Sequence, residues 1–202
     1  MLTRREALAF AALATGGALL PRGRGVTAAE ESEIVLGDPE APVTIIEYSS
    51  FSCPHCADFH NTTLPKLKAA YLDTGKVRLI YRDFPLDRPA VLAAVMVRCA
   101  DPSRAAGFIE VLFRTQERWT AATDPIEALA RIAGLGGMSR QRFEACLGDQ
   151  ALIDRILAAR LEGENEFGIN RTPSFIINGK KYLGAMSFEQ FEKILKPLLP
   201  QS

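Results

Sequence analysis

The feature that most constrains the fold is a pair of cysteines, Cys53 and Cys56, placed between a strand pattern and a helix pattern. Residues 43–48 are apolar and rich in β-branched side chains, which is typical of a short buried strand. Residues 77–84 form a second strand pattern. A strand, a helix and a strand within roughly forty residues predict a βαβ unit with parallel strands.

The helix that follows the cysteines has a regular apolar face, formed by Phe59, Leu64, Leu67 and Tyr71. Pro65 falls inside this pattern and predicts a kink or a break, because proline lacks the N–H that a helix interior needs. Thr74 and Gly75 predict its end.

Residues 87–168 show helical patterns and no strand pattern. Asp124 before Pro125 predicts a helix start, and Ser139 predicts another. We interpret this stretch as an all-helical insertion. Its predicted helices span residues 88–99, 103–118, 125–133, 140–146 and 150–164.

Strand patterns return near the C-terminus, where residues 174–177 and 181–183 flank Asn178-Gly179, a typical hairpin turn. Ser187 and Gln190 predict a capping box at the start of a final helix.

The complete order is βαβ, helical insertion, ββα, and without the insertion it is the order of a thioredoxin fold. The predicted α/β domain has two parts, residues 30–86 and 169–202, and the insertion over residues 87–168 separates them. The chain has 202 residues, enough for one domain with an insertion. Its 24 basic and 24 acidic side chains balance, and this excludes the basic footprint of a nucleic-acid binder.

The first 29 residues have the order of a secretory signal peptide, with a basic start, an apolar middle and small residues at the end. Arg4 and Arg5, followed by Leu8, further predict a twin-arginine signal, with an ordinary Sec signal as the alternative. We expect residues 1–29 to be removed and the protein to reach the periplasm. Cysteine pairs persist as disulfides in such an oxidising compartment.

Two cysteines at a helix start suit thiol–disulfide chemistry. Cys53 would lie at the helix N-terminus, where unpaired N–H groups and the helix dipole favour a thiolate. Pro54 suits the first turn because it has no N–H to lose, and His55 is close enough to help stabilise the thiolate. Cys56, about one turn further on, would be the resolving thiol.

Residues 48–56, which include Cys53-Pro54-His55-Cys56, resemble the active-site stretch of the DsbA family of thiol–disulfide oxidoreductases. Residues 170–175, with Thr172-Pro173, resemble its cis-proline segment. This resemblance covers residues 34–198. It implies that the Thr172–Pro173 bond is cis, that it lies against Cys53, and that its backbone pairs with the substrate peptide.

The resemblance also implies a function. It indicates a monomeric enzyme that donates disulfides to exported proteins with free cysteines, needs no cofactor, and is reoxidised by a quinone-linked membrane partner of the DsbB kind. Glu47, six residues before Cys53, resembles the family's buried proton acceptor for the resolving cysteine; the alternative is a strand-end carboxylate in solvent. Thr172 before the cis-proline leaves a disulfide isomerase or reductase open.

Cys99 and Cys146 fall on two separate predicted helices of the insertion. In an oxidising compartment we expect a structural disulfide between them. Two buried free thiols are the alternative, because free cysteine packs well as a small apolar side chain.

The sequence leaves two further interpretations open. Cys53, His55, Cys56 and His60 could ligate a metal ion, although ligands this close together crowd a tetrahedral site. The chain could also be a non-catalytic peptide-binding or chaperone module, in which Cys53 and Cys56 form a structural disulfide.

Overall fold

The computed structural model of the protein describes residues 33–200. The predicted signal peptide, residues 1–29, lies outside these residues. Across the described part of the chain, no helix is both long and apolar enough to span a membrane.

Within residues 33–200, the strands form one five-stranded mixed sheet. They are β1 (Ile34–Leu36), β2 (Val43–Ser49), β3 (Val77–Asp83), β4 (Ser174–Ile177) and β5 (Lys180–Leu183). The order across the sheet is β1-β3-β2-β4-β5. β2 and β3 are parallel, as the predicted βαβ unit requires, and the other neighbouring pairs are antiparallel. β2 is the central strand, so the turn at its carboxyl end starts in the middle of the sheet.

The helix after the cysteines continues through Pro65, so the predicted break is wrong, while the predicted kink stays a prediction. It consists of α1 (Pro54–Asp58), a π-helical segment (Phe59–Thr63), α2 (Leu64–Leu67) and a second π-helical segment (Lys68–Leu72). We call this continuous element helix 54–72. The N–H of Leu64 donates to the carbonyl of Phe59, five residues back. This wider turn accommodates the proline ring and its missing N–H without ending the helix.

Six helices lie between β3 and β4, and they occupy the stretch that the sequence predicted as a helical insertion. Asp124 and Ser139 cap two of them, as predicted, by accepting the N–H groups of Glu127 and Arg142. The helices are α3 (Arg88–Cys99), α4 (Pro102–Arg114), α5 (Gln116–Thr120), α6 (Pro125–Leu135), α7 (Arg140–Leu147) and α8 (Gln150–Phe167).

The single helix predicted over residues 103–118 is wrong, because two helices, α4 and α5, meet there at Thr115. Thr115 leaves helical geometry, with φ −110° and ψ 15°, and its hydroxyl donates to the carbonyl of Val111. Gln116, the first residue of α5, is a polar side chain that is only 6% exposed.

The C-terminal elements follow the prediction closely. Asn178 and Gly179 both have positive φ, 43° and 84°, as the tight turn between β4 and β5 requires. Ser187 and Gln190 form the predicted capping box of α9 (Phe188–Leu195), which is followed by a 3-10 turn (Lys196–Leu198). Phe191 of α9 packs on the sheet against Phe175, with ring centroids 5.0 Å apart. The predicted thioredoxin-like order with inserted helices is thus confirmed.

Candidate functional site

Cys53 lies between the central strand, β2, and helix 54–72, at the start of the helix. A turn after β2 is closed by the hydrogen bond from the Cys53 N–H to the Ser50 carbonyl, 3.1 Å long. The Cys53 carbonyl then accepts the N–H groups of Cys56 and Ala57, both at 3.1 Å. Cys53 is therefore the N-cap residue, and Pro54 occupies the first helical turn without losing a hydrogen bond.

The surroundings of Cys53 favour its thiolate. The hydrogen bond from the Cys56 thiol lowers the pKa of Cys53 most, and the pKa falls to about 5. The Thr172 side chain and the backbone N–H groups of Cys56 and His55 lower it further, while burial acts in the opposite direction. Both cysteines are free thiols, so this is the reduced form of the pair.

The Thr172–Pro173 segment faces Cys53 from the start of β4. Its peptide bond is cis, and the sulfur of Cys53 lies 3.4 Å from the Thr172 carbonyl oxygen, to which the thiol donates. The buried hydroxyl of Thr172 has no hydrogen-bond partner among the described residues. It can therefore turn to donate to the Cys53 sulfur once that sulfur is ionised.

Cys56 has the opposite character. Its side chain is fully buried, and this burial is the largest cause of a pKa raised well above that of an ordinary thiol. The neighbouring charges of Cys53 and Glu47 raise the pKa of Cys56 further. The pair thus combines one sulfur that ionises easily with one that is held neutral.

Glu47 on β2 is fully buried, so it is not a strand-end carboxylate in solvent. Its two carboxylate oxygens lie 3.0 and 3.1 Å from the Nε2 atom of His60. The His60 ring stacks on Phe113, with ring centroids 4.0 Å apart. Burying a carboxylate is costly unless it is paired, and His60 supplies the partner.

The sequence suggested His60 as one of four metal ligands. In residues 33–200, no group of three or more His, Cys, Asp and Glu side chains could hold a metal ion. His60 contacts Glu47 instead of joining Cys53, His55 and Cys56.

Two buried hydroxyl groups complete the polar surroundings of Cys56. The Ser49 and Tyr81 hydroxyls have no hydrogen-bond partner among residues 33–200. Burial raises the pKa of Tyr81, and the nearby charges of Asp83, Glu47 and Cys56 raise it further. Both hydroxyls are therefore groups that keep their protons and can form hydrogen bonds in the interior near Cys56.

His55 stabilises the Cys53 thiolate through its backbone N–H. Its side chain, like that of Pro54, is exposed to solvent. A contribution of the His55 side chain to the thiolate stays a prediction.

Gln116 of the helical insertion is a residue that sequence reasoning missed. Its amide nitrogen donates to the carbonyl of Phe51 at 2.7 Å and to the carbonyl of Cys53 at 2.9 Å. Gln116 lies more than sixty residues after Phe51 and Cys53 in the sequence, so no local sequence pattern indicates this contact. Its signal is a polar side chain in a buried position.

Cys99 at the end of α3 and Cys146 in α7 are joined by a disulfide, with Cα atoms 6.2 Å apart. This separation is within the range that a disulfide spans. The Arg142 guanidinium donates to the Cys99 carbonyl at 2.8 Å and ties the same two helices together.

The two active-site thiols are expected to differ sharply towards an alkylating agent. Iodoacetamide should modify Cys53 of the reduced protein at a rate that is half-maximal near pH 5, because its pKa is about 5 and only the thiolate reacts. The rate should fall as the pH drops through this value, while Cys56 stays unmodified at pH 7.

Peptide mapping by mass spectrometry measures both rates. The urea-denatured chain is the control, since both thiols should then titrate near the ordinary cysteine pKa of about 8.5. A native midpoint near 8.5 for Cys53 would contradict the prediction.

The sequence and the fold of the chain are similar to those of known proteins. A family model described as Thioredoxin matches residues 29–197. The crystal structure of Wolbachia pipientis alpha-DsbA1 superposes with a TM-score of 0.76 at 32% identity, covering 82% of this chain and 90% of that one. A protein-disulfide isomerase from Novosphingobium aromaticivorans gives a TM-score of 0.71 at 25% identity, covering 83% and 97%.

Among curated sequences, a provisionally named protein-disulfide oxidoreductase of Rickettsia bellii is 30% identical over 151 residues, or 74% of this chain. The match covers 58% of that relative, so the chain spans little more than half of its length. The family model extends over both parts of the α/β core and the helices between them. The chain therefore belongs to the thioredoxin family, and its fold is similar to that of DsbA proteins.

Proposed function

We propose that the protein donates a disulfide to exported proteins, and that Cys53-Pro54-His55-Cys56 is its redox centre. The asymmetry between the two thiols carries this proposal. A depressed pKa of Cys53 stabilises the reduced pair relative to the disulfide, and this makes the disulfide more oxidising. It also makes the Cys53 sulfur a good leaving group.

The reaction begins with the Cys53–Cys56 disulfide. A substrate thiolate attacks the Cys53 sulfur, a bond forms between substrate and Cys53, and the electron pair of the broken bond leaves with Cys56. A second thiolate of the substrate then attacks the substrate sulfur of this mixed disulfide and releases the Cys53 thiolate. The substrate loses two electrons, and the enzyme gains them.

In this scheme, Glu47 transfers protons to and from the buried thiol of Cys56. Cys56 leaves as a thiolate in an apolar interior, where the charged form is disfavoured, so it takes up a proton. Glu47 donates a proton to Cys56 in this step. It accepts a proton from Cys56 when Cys56 becomes the nucleophile during reoxidation. The contact with His60 orients both oxygens of that carboxylate.

In the proposed reaction, the Thr172–Pro173 segment is the edge at which the substrate peptide binds. Thr172 lies against Cys53, so a peptide that joins Cys53 would run alongside this segment. The partners of the proposed reaction are unfolded or folding exported proteins, and the reoxidant is a quinone-linked membrane protein of the DsbB kind. The protein then acts in the periplasm, which it reaches by export with removal of residues 1–29.

An isomerase or reductase of the same fold is the second candidate. Thr172 leaves it open, since threonine at this position also occurs in that part of the superfamily, and a structural relative is described as a protein-disulfide isomerase. A non-catalytic peptide-binding module is the third. The three differ in the reduction potential of the Cys53–Cys56 pair and in turnover.

We expect the reduction potential of Cys53–Cys56 to lie near the oxidising end of the thioredoxin superfamily, roughly −120 to −180 mV. Equilibration with glutathione mixtures, followed by alkylation of Cys53 and mass spectrometry, measures it. Oxidation of reduced, unfolded ribonuclease A by the disulfide form is the matching activity assay. A potential near about −270 mV would indicate a reductase and contradict the proposal. Reactivation of scrambled ribonuclease without net oxidation would identify an isomerase, and no turnover in either assay would identify a binding module.

A further inference from the structure

We propose that Gln116 is a positioning residue for the redox centre: its side-chain amide holds the backbone around Cys53 in the geometry that the thiolate form requires. This inference rests on the proposed role of Cys53 as the attacked sulfur. It assigns part of the active-site geometry to the helical insertion.

Gln116 acts on the turn that carries Cys53. Its two amide hydrogens point to the carbonyl oxygens of Phe51 and Cys53, at 2.7 and 2.9 Å, on either side of Ser52. The side chain is buried, so water does not compete for these carbonyls. A single rigid amide thus fixes two backbone carbonyls of the turn at once.

The second of these carbonyls is the one that starts the active-site helix. The Cys53 carbonyl accepts the N–H groups of Cys56 and Ala57 as well as the Gln116 amide. The backbone N–H groups of Cys56 and His55, at the start of this helix, lower the pKa of Cys53. A carbonyl held in place by Gln116 keeps Cys53 at the N-cap, next to these N–H groups.

The break in the insertion at Thr115 places Gln116 where it can do this. Phe113 is the last residue but one of α4. Its ring centroid lies 5.1 Å from that of Phe51 and 4.0 Å from that of His60. Phe113 and Gln116 together therefore contact the active-site turn and helix 54–72. If one uninterrupted helix spanned residues 103–118, Gln116 would instead lie further along the axis of α4.

The chain contains a matched control for this contact. The Asn61 side-chain amide donates to the Phe113 carbonyl at 3.2 Å, so it also links helix 54–72 to the insertion. It does not touch the turn that carries Cys53. Asn61→Ala removes an amide–carbonyl hydrogen bond between the same two parts of the molecule but leaves the carbonyls of Phe51 and Cys53 in place.

The test compares Gln116→Met and Asn61→Ala with the unmodified protein. Methionine has nearly the same length as glutamine but donates no hydrogen bond. We expect the pKa of Cys53, followed by thiolate absorbance at 240 nm, to rise by about one unit in Gln116→Met. The equilibrium constant against glutathione should shift about tenfold towards the disulfide form, equivalent to about 30 mV. Asn61→Ala should leave both quantities unchanged.

A folded Gln116→Met protein with an unchanged pKa of Cys53 would overturn the proposal, as would an equal shift in Asn61→Ala. Gln116→Asn is the second variant, in case Gln116→Met does not fold. Its shorter amide cannot span both carbonyls, so the same upward shift is expected, and an unchanged pKa overturns the proposal. An ordinary thiol pKa for Cys53 in the unmodified protein would instead contradict the proposed function.

Discussion

Replacement of Cys53 by serine is expected to reduce the oxidation of reduced ribonuclease A to the uncatalysed background. The hydroxyl of serine forms no disulfide, so the substrate thiolate has no sulfur to attack. Cys56 cannot take over, because it is fully buried and its raised pKa keeps it protonated. The fold should persist, since the substitution changes one atom at the edge of the helix.

Cys56→Ser is the matched variant, and it should behave differently. It keeps the reactive Cys53 thiolate but lacks Cys56, the thiol that would attack the Cys53 sulfur of a mixed disulfide and release the substrate. When the Cys53 thiolate of this variant attacks a disulfide in a substrate protein, one substrate sulfur bonds to Cys53 and the other leaves as a thiolate. Covalent complexes should therefore accumulate and appear as reductant-sensitive bands on a gel. Full activity in Cys53→Ser, or equal complex formation by both variants, would contradict the assignment of Cys53 as the attacked sulfur.

The parts of the fold that could be predicted from the sequence depend on neighbours in the chain. The turn at Asn178-Gly179 needs positive φ angles, which these residue types adopt easily, and the structure has them. The capping box of Ser187 and Gln190 spans three residues. The position of Cys53 at the start of a helix is also local, because Pro54 follows it.

The failures have a common physical cause, which is that a distant contact overrides the local pattern. Nothing in residues 103–118 disfavours one helix, yet the chain breaks at Thr115 and Gln116 then bonds to Phe51 and Cys53. Pro65 predicts a break, yet the helix widens and stays packed on the sheet through the apolar side chains around it.

The polar interior of the site shows the same limit. Glu47 could be singled out because a carboxylate interrupts an apolar strand. Its partner could not, since His60 lies thirteen residues away on helix 54–72 and had no pattern linking it to β2. Strand and helix meet there only because the βαβ unit packs the helix on the sheet. Such pairs become predictable once the register of the sheet is known.

Loss of the second cysteine pair is expected to act on stability and not on the redox reaction. We propose that the Cys99–Cys146 disulfide is structural, since it joins the end of α3 to α7 across a separation of 47 residues. Cross-linking a loop of that length limits the unfolded chain, and the chain-entropy relation gives about 4 kcal/mol. The double variant Cys99→Ala, Cys146→Ala should therefore unfold with a free energy lower by about 3 to 4 kcal/mol.

Urea denaturation measures this loss, and a chain with Cys53→Ser and Cys56→Ser supplies the sharpest control. In that chain only Cys99 and Cys146 can form a disulfide, so its oxidised and reduced forms differ in one bond and in no residue. Reduction should lower its free energy of unfolding by the same 3 to 4 kcal/mol or so, because the entropy of the unfolded chain is what changes. Equal stability of the two forms, or two titratable thiols in this chain when it is denatured without reductant, would show that the bond contributes nothing. Where the loss is observed, the Cys99→Ala, Cys146→Ala protein should still keep the alkylation midpoint of Cys53 near pH 5, since that value is set by Cys56, Thr172 and the N–H groups at the start of α1.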